Sequence, residues 1–287
     1  MMTAKRFFKK LQDFASGRKS QSEMVKILRP WMANSAGSKR DKIDLAIIDQ
    51  ELFLDKLLDL IDLVKLNPQH GGPNSFNVFD IYVQHQEVTR LGDLFDIHCS
   101  DKGSHHKYEN LYARIISTLP KNSTIFEIGL GTPNTKILSN MGPGAKPGAS
   151  LRALSEYRLD AKIYGADIDS AILFNAKNIE TFYLDQNSDE SFKKLGIRIP
   201  EKISLVIDDG LHSPLANINT LLYCLPRLST IGWIVIEDIG RDSLVIWKLI
   251  QGIMESNFLC QLVETSTGNL FVICNDPDGV KQFLSQG

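Results

Sequence analysis

Two short runs in this sequence set acids and an imidazole at spacings that could do chemistry. They are Asp208-Asp209-Gly210-Leu211-His212 and Glu237-Asp238. Each follows a β-branched apolar run, ISLVI and GWIVI, of the kind that forms a buried strand. If those strands are neighbours, four carboxylates and an imidazole converge at one sheet edge. Two unit charges about 4 Å apart repel by about 4 kcal/mol at an effective dielectric near 20, and several uncompensated carboxylates cost more. A divalent cation removes that cost, and hard oxygen ligands select Mg²⁺ or a similar ion. As helix caps facing water, the same acids would be inert. His212 could be a structural neighbour of such an ion, or a base beside a hydroxyl bound to it.

A second series points to a nucleoside. Glu127-Ile128-Gly129-Leu130-Gly131 ends the run STIFEIG, and glycines there let a ligand approach the backbone at a strand's carboxyl end. The run is not a dinucleotide fingerprint, because Asn134 stands where the third glycine belongs. Asp167 ends AKIYGADI and can accept hydrogen bonds from both ribose hydroxyls, provided that Asp169 is the residue that caps the next helical segment. Asp185-Gln186 ends ETFYLDQ, placed to read polar edges of a base. One such feature is weak. Three consecutive strand ends are not.

The elements that must position these residues alternate. STIFEIG, AKIYGADI, ETFYLDQ, ISLVIDD and GWIVIED are separated by helical stretches over 149–158, 169–176, 188–195, 214–225 and 241–255. That pattern predicts an α/β fold with a mostly parallel sheet covered on both faces. FLCQLVE and NLFVICN, joined by Thr265–Gly268, predict an antiparallel hairpin at one edge. A parallel sheet with a C-terminal hairpin is the Rossmann-like arrangement of class I methyltransferases. The Gly- and Pro-rich segment Thr132–Pro147 reads as a long loop over the cofactor. Residues 104–118 read as a helix leading into the sheet. Before residue 96 the chain is mostly helical, with its strongest signal over 42–66, so the expected division is a helical accessory region, 1–95, and a cofactor-binding domain, 96–287.

Composition bounds the partners. Apolar residues make up 43% and charged residues 23%, which allows a sizeable core. Four cysteines lack CxxC spacing and are expected to be reduced thiols in a cytoplasmic protein. The net charge is −2, yet residues 1–40 hold ten Lys/Arg against Asp13 and Glu23, a local +8, leaving −10 for the remainder. Positive charge confined to one end argues against a nucleic-acid groove. Residues 3–15 form an amphipathic pattern of Phe7, Leu11 and Phe14 with flanking lysines. Residues 1–20 could therefore touch an anionic membrane surface peripherally. The plainer use of that stripe is packing on the domain or on a second subunit.

Taken as an ordered set, the motifs resemble those of the metal-dependent sugar O-methyltransferases, which include mycinamicin and aminocoumarin tailoring enzymes, polysaccharide-modifying relatives and proteins labelled cephalosporin hydroxylase. The similarity runs from Asp101 to Asp238. It comprises Asp101-Lys102-Gly103-Ser104-His105-His106-Lys107-Tyr108, Glu127–Gly131, Gly148–Arg152, Tyr164–Asp167, Asp185-Gln186, Asp208–His212 and Glu237-Asp238. Leu211 departs from the pattern, standing where serine is familiar. The resemblance implies S-adenosylmethionine as methyl donor, Mg²⁺ or a similar ion on Asp209, Glu237 and Asp238, and His212 as base with Asp209 beside it. It implies cofactor contacts from Glu127, Gly129, Gly131, Ser150, Asp167, Asp185, Gln186 and Asp208. The expected acceptor is a saccharide hydroxyl, free, nucleotide-linked or lipid-linked, and a homo-oligomer is compatible with all of this. The alternatives are a hydrolase-like metal enzyme without a methyl donor and a catalytically silent cofactor-binding protein.

Overall fold

The computed structural model describes residues 26–66, 77–199 and 202–284. The N-terminal amphipathic stretch 3–15, and with it the proposed membrane contact, lies outside the described residues. Eight strands form one sheet in the order β3-β4-β2-β1-β5-β6-β8-β7. They are β1 (Thr124–Ile128), β2 (Lys162–Asp167), β3 (Asn175–Ala176), β4 (Ile179–Tyr183), β5 (Ile203–Asp208), β6 (Leu228–Ile239), β7 (Leu259–Glu264) and β8 (Asn269–Cys274). β4, β2, β1, β5 and β6 are parallel; β3 at one edge and β8 near the other run against them, and edge strand β7, antiparallel to β8, returns to their direction. This is the Rossmann-like sheet with a C-terminal hairpin that the alternating pattern predicts. Thr265 and Gly268 close the hairpin through Thr265 N–H to the Gly268 carbonyl, 2.9 Å.

Strand periodicity splits the apolar residues into two cores, one on each face of the sheet. Phe126 and Ile128 of β1, Val206 of β5 and Ile234 and Ile236 of β6 face one side. Ile125, Leu205, Ile207, Trp233 and Val235 face the other. On the first face lie helices α1 (Lys39–Leu66), α5 (Asp189–Arg198), α6 (Pro214–Cys224) and α7 (Leu244–Met254). On the second lie α2 (His85–Ile97), α3 (Glu109–Ser117) and α4 (Ala149–Tyr157). The last helix, α8 (Pro277–Val280), is a single turn.

α1 is the long helix expected over 42–66. Its buried stripe Ala46, Asp49, Phe53, Leu57, Leu60 and Val64 recurs every three to four residues, and it packs on α6. Phe53, Leu57, Leu60 and Val64 join the same core as β1, β5 and β6. Leu91 and Phe95 of α2 join the core on the opposite face. Both sheet cores therefore cross a boundary at residue 95, while a small third cluster, Leu28, Ile43 and Ala46, lies wholly before it.

Residues 169–176 do not form the expected helix. Asp169 caps only one turn, Ser170–Ile172, by accepting from the Ala171 N–H, and Asn175–Ala176 then pairs with β4. The Thr181 hydroxyl bridges the backbone of Phe174, 2.6 Å from both its nitrogen and its oxygen, which holds the chain extended. These local side-chain bonds outcompete a helix of eight polar and apolar residues. The helix expected over 104–118 also starts late, at Glu109, because residues 101–106 form turns.

Candidate functional site

All the strand ends singled out by sequence open on one cavity of about 580 Å³ at the carboxyl edge of the sheet. That size lies in the range of small-molecule and cofactor sites. Gly129, Gly131, Asp167, Asp185 and Gln186 line one part, and Lys102, Asp209, His212 and Asp238 line another. Ile137–Met141, from the long loop after β1, and Asn34–Ala36, from the segment before α1, complete the wall.

The cofactor side is built by backbone as much as by side chains. Gly129 has φ +93°, and a Cβ there would overlap the carbonyl of Asp209. Only glycine lets β1 and the loop after β5 approach so closely. Asp167 Oδ2 accepts from Leu130 N–H at 2.7 Å and Oδ1 from Asp169 N–H at 2.8 Å. Each oxygen keeps a lone pair, and the carboxylate is fixed beside the Gly129–Gly131 turn. Burial raises the pKa of Asp167, opposed by those two backbone bonds.

Three residues expected to touch the cofactor have different places. Asp208 is fully buried and off the cavity wall; its oxygens accept from Gln186 Nε2 at 2.8 Å and Asn217 Nδ2 at 3.0 Å. Gln186 reaches the wall, but its amide is spent on Asp208, on Thr220 Oγ1 at 3.2 Å and on the Leu211 N–H at 2.8 Å. These two brace the Asp209–His212 loop. Glu127 is also fully buried and off the wall, with Ser150 Oγ 2.7 Å from each of its oxygens. Ser150 lines the cavity in its place.

β5 and β6 are neighbours, with Asp208 opposite Ile236. The next residues on each strand meet at the sheet edge, but they sort differently. Asp209, His212 and Asp238 bring one ligand atom each to within 4.8 Å of one another. Among the described residues this is the group of acids and imidazoles able to share an ion. Glu237 is not in that group but is joined to Asp209 through the shared Lys102 ammonium. Its side chain is 2% exposed, Oε1 receives the Tyr112 hydroxyl, and Oε2 receives Lys102 Nζ at 2.8 Å. Of the expected ligand set, Asp209 and Asp238 belong to this group together with His212, and Glu237 is held by Lys102 and Tyr112. Alternation along β6 sends Glu237 to the side of Tyr112, while Asp238, at φ +53°, lies on the cavity wall.

His212 also has a left-handed backbone, φ +54°. That conformation is costly for non-glycine residues, and Cys99, Ser139, His212 and Asp238 all adopt it on the cavity wall. The His212 ring is 8% exposed; Nε2 lies 3.7 Å from Asp209 Oδ1, and Nδ1 is buried with no partner. Asn34 locks this corner, its N–H on the His212 carbonyl at 3.1 Å and its Nδ2 on the Asp238 carbonyl at 2.8 Å. Tyr108 donates to Asp238 Oδ1 at 3.2 Å and stacks on His106, whose Nε2 is 3.6 Å from Asp101 Oδ2. Burial works to raise Asp101, but the bond to His106 and the charge of Lys102 outweigh it and hold this carboxyl at about 2.

The sequence assigns no role to Lys102, Tyr112, Tyr108 or Asn34. Lys102 and Tyr108 sit in the Asp101–Tyr108 run, and Tyr108 and Tyr112 share a helical face four residues apart, which is the one signal that could have linked them. Nothing in composition distinguishes Lys102 from a solvated loop lysine.

No protein-family model matches the chain. Over 186 residues it is 28% identical to the 8-demethyl-8-α-L-rhamnosyl tetracenomycin-C 2′-O-methyltransferase of Streptomyces olivaceus, covering 62% of this chain and 46% of that protein. Among solved structures it matches the MycE methyltransferase of the mycinamycin biosynthetic pathway in complex with Mg and SAH. The TM-score is 0.52 at 23% identity, over 66% of this chain and 55% of MycE; a complex with Mg, SAH and mycinamycin VI matches equally. The chain spans about half the length of these relatives. It is therefore similar in sequence to one sugar 2′-O-methyltransferase and shares the fold of a methyltransferase.

Proposed function

We propose that this chain is an S-adenosylmethionine-dependent, divalent-metal-dependent O-methyltransferase acting on a sugar hydroxyl of a saccharide or glycosylated metabolite. The observation that carries the reading is the single cavity: the Gly129–Gly131 turn and Asp167 share it with Asp209, His212 and Asp238. A hydrolase would leave the nucleoside-binding half idle, and a silent binding protein would have no use for the acid–imidazole group. The relatives' names, an O-methyltransferase and a protein bound to Mg and SAH, support it.

The donor set fits a hard divalent cation. Asp209 and Asp238 offer carboxylate oxygens on the open side, and the buried, unpartnered His212 Nδ1 marks a ring held by its surroundings rather than by its own bonds. Asp209 and Asp238 would hold the ion. Bound here, S-adenosylmethionine supplies an electrophilic methyl group, and the ion supplies Lewis acidity that lowers the pKa of an acceptor hydroxyl. Asp167 accepts hydrogen bonds from the ribose, the Gly129–Gly131 backbone admits the cofactor, and Ser150 closes the wall. His212 takes the acceptor proton at Nε2, the nitrogen facing Asp209. Ile137–Met141 and Asn34–Ala36 exclude water and align the acceptor, and alignment alone can be worth about 7–11 kcal/mol.

The test is a mass-spectrometric screen of sugar acceptors with S-adenosylmethionine, reading the gain of one methylene. Turnover should vanish in EDTA and return with Mg²⁺. Preference for a nicotinamide dinucleotide over S-adenosylmethionine in calorimetry, or full activity in excess EDTA, would overturn the corresponding half of the reading.

A further inference from the structure

Lys102 is 1% exposed, and its ammonium lies 2.5 Å from Asp209 Oδ2, 2.8 Å from Glu237 Oε2 and 3.5 Å from Glu127 Oε1. A lysine is almost never fully buried unless paired, and this one meets three carboxylates, Glu127 of β1, Glu237 of β6 and Asp209 just past the end of β5. The remaining oxygens on the inner side have their own donors, Tyr112 on Glu237 and Ser150 on Glu127. Asp209 is the exception. It is 22% exposed, gives Oδ2 to the lysine, and leaves Oδ1 toward His212. Lys102 therefore divides the acidic centre into a closed inner half, Glu127 and Glu237, and an open outer half, Asp209 and Asp238.

The backbone fixes where the lysine enters. Its carbonyl accepts from the Tyr108 N–H at 2.9 Å, and a side chain at the next residue, Gly103, would collide with Asp96 of α2. The turn 101–106 is clamped between α2 and α3, so Nζ has one place to go.

We propose that Lys102 is the resident cation of this centre: it fills the inner half permanently, so the protein folds and binds its cofactor without metal and admits one exchangeable divalent ion on the outer half. An ammonium is a compact point charge that cannot leave, unlike an ion in equilibrium with solvent. Its charge also opposes a divalent ion nearby, which keeps that ion single and weakly held. The inference rests on the metal reading above and adds a stoichiometry and a role for a residue that touches neither acceptor nor cofactor chemistry directly.

The test uses the full-length chain and Mn²⁺ as probe, read by electron paramagnetic resonance, by calorimetry and by thermal unfolding with and without EDTA. Wild type should bind one Mn²⁺, and EDTA should not change its melting temperature or its affinity for S-adenosylhomocysteine. Lys102→Met removes the charge at similar length. It should melt lower in EDTA and recover with Mn²⁺. It should also hold Mn²⁺ at least about tenfold tighter or take a second equivalent. Lys102→Arg, which keeps a cation, should resemble wild type. If Lys102→Met does not fold, the double variant Lys102→Met/Glu237→Gln removes one negative charge with the positive one, and should fold in EDTA and bind a single Mn²⁺. Lys102→Met with wild-type Mn²⁺ affinity, stoichiometry and EDTA response overturns the proposal, as does a wild type that unfolds in EDTA. A double variant that does not fold in EDTA overturns it too. A wild type that binds no Mn²⁺ overturns the proposal's open outer site and removes the ion from the methyltransferase reading. Absent methyl transfer with these Mn²⁺ results intact would sink that reading alone.

Discussion

Asp167 accepts one backbone N–H on each oxygen, so its carboxylate is fixed before any ligand arrives. A group held in this way loses little entropy on binding, and its removal should cost the ribose contact almost entirely. Asp167→Ala is expected to weaken S-adenosylhomocysteine by roughly 1.5–3 kcal/mol in calorimetry, about ten- to a hundredfold. His212 separates two roles that geometry alone brings close. As base, His212→Ala should lower kcat by about 10²–10⁴-fold while Mn²⁺ still binds. Asp209→Ala and Asp238→Ala should instead lose Mn²⁺ and keep the cofactor. Loss of Mn²⁺ in His212→Ala would make the imidazole a ligand rather than the base. Asp167 is legible in sequence because a strand-end acid followed by a better cap, Asp169, has few other uses. Asp208 and Gln186 are not legible in the same way. Whether a strand-end polar group faces a ligand or braces a loop depends on Asn217 and Thr220 of α6, which lie on an element far along the chain.

At the scale of elements, the site depends on how closely β1 and the loop after β5 approach. Gly129→Ala would place its Cβ against the Asp209 carbonyl at a φ that side chains disfavour, so the loop carrying Asp209 must move. This variant should lose Mn²⁺ binding and activity together, and it should melt several degrees below wild type. The α1–α6 contact makes a different prediction. Asp49 of α1 is fully buried, with Oδ2 accepting from the Leu215 N–H at 3.3 Å and Oδ1 unpartnered. Burial raises its pKa to about 7, against bonds from Ser213 and Leu215 that lower it. The folded state therefore holds a proton that the unfolded chain releases near 3.8. That contribution is present in full below the unfolded value and is lost as pH rises through about 7, a change on the order of 4 kcal/mol. Asp49→Asn should flatten the fall in stability between pH 4 and pH 8, measured by urea unfolding; an unchanged slope would assign the fall to other groups. The strand order is readable from apolar runs of constant period, since parallel strands buried on both faces leave little choice. Residues 169–176 misled because their local hydrogen bonds to Asp169 and Thr181, rather than their periodicity, decide the backbone.

At the scale of the molecule, the helices α1 and α2 share the hydrophobic cores of the sheet. Phe53, Leu57, Leu60 and Val64 cover one face, and Leu91 and Phe95 cover the other. Sequence composition separates these segments from the strands because helices and strands read differently, but a change in secondary structure is not a change in core. Fully burying a side chain of this size contributes about 1.5–3 kcal/mol, so six such residues together hold on the order of 10 kcal/mol. That is comparable with the whole stability of a typical domain, about 5–15 kcal/mol. The same segment supplies Asn34, whose two bonds hold the carbonyls of His212 and Asp238 in their left-handed turns. A chain beginning at residue 96 would thus lose both the cover of its cores and the lock on its site. It should be insoluble or should unfold without a cooperative transition, and it should bind neither Mn²⁺ nor S-adenosylhomocysteine. A chain beginning at residue 26 keeps α1, α2 and Asn34 and should retain cooperative unfolding and both ligands. If the shorter chain instead unfolds cooperatively with cofactor affinity intact, the N-terminal third is an accessory region after all, and Asn34 is dispensable to the site.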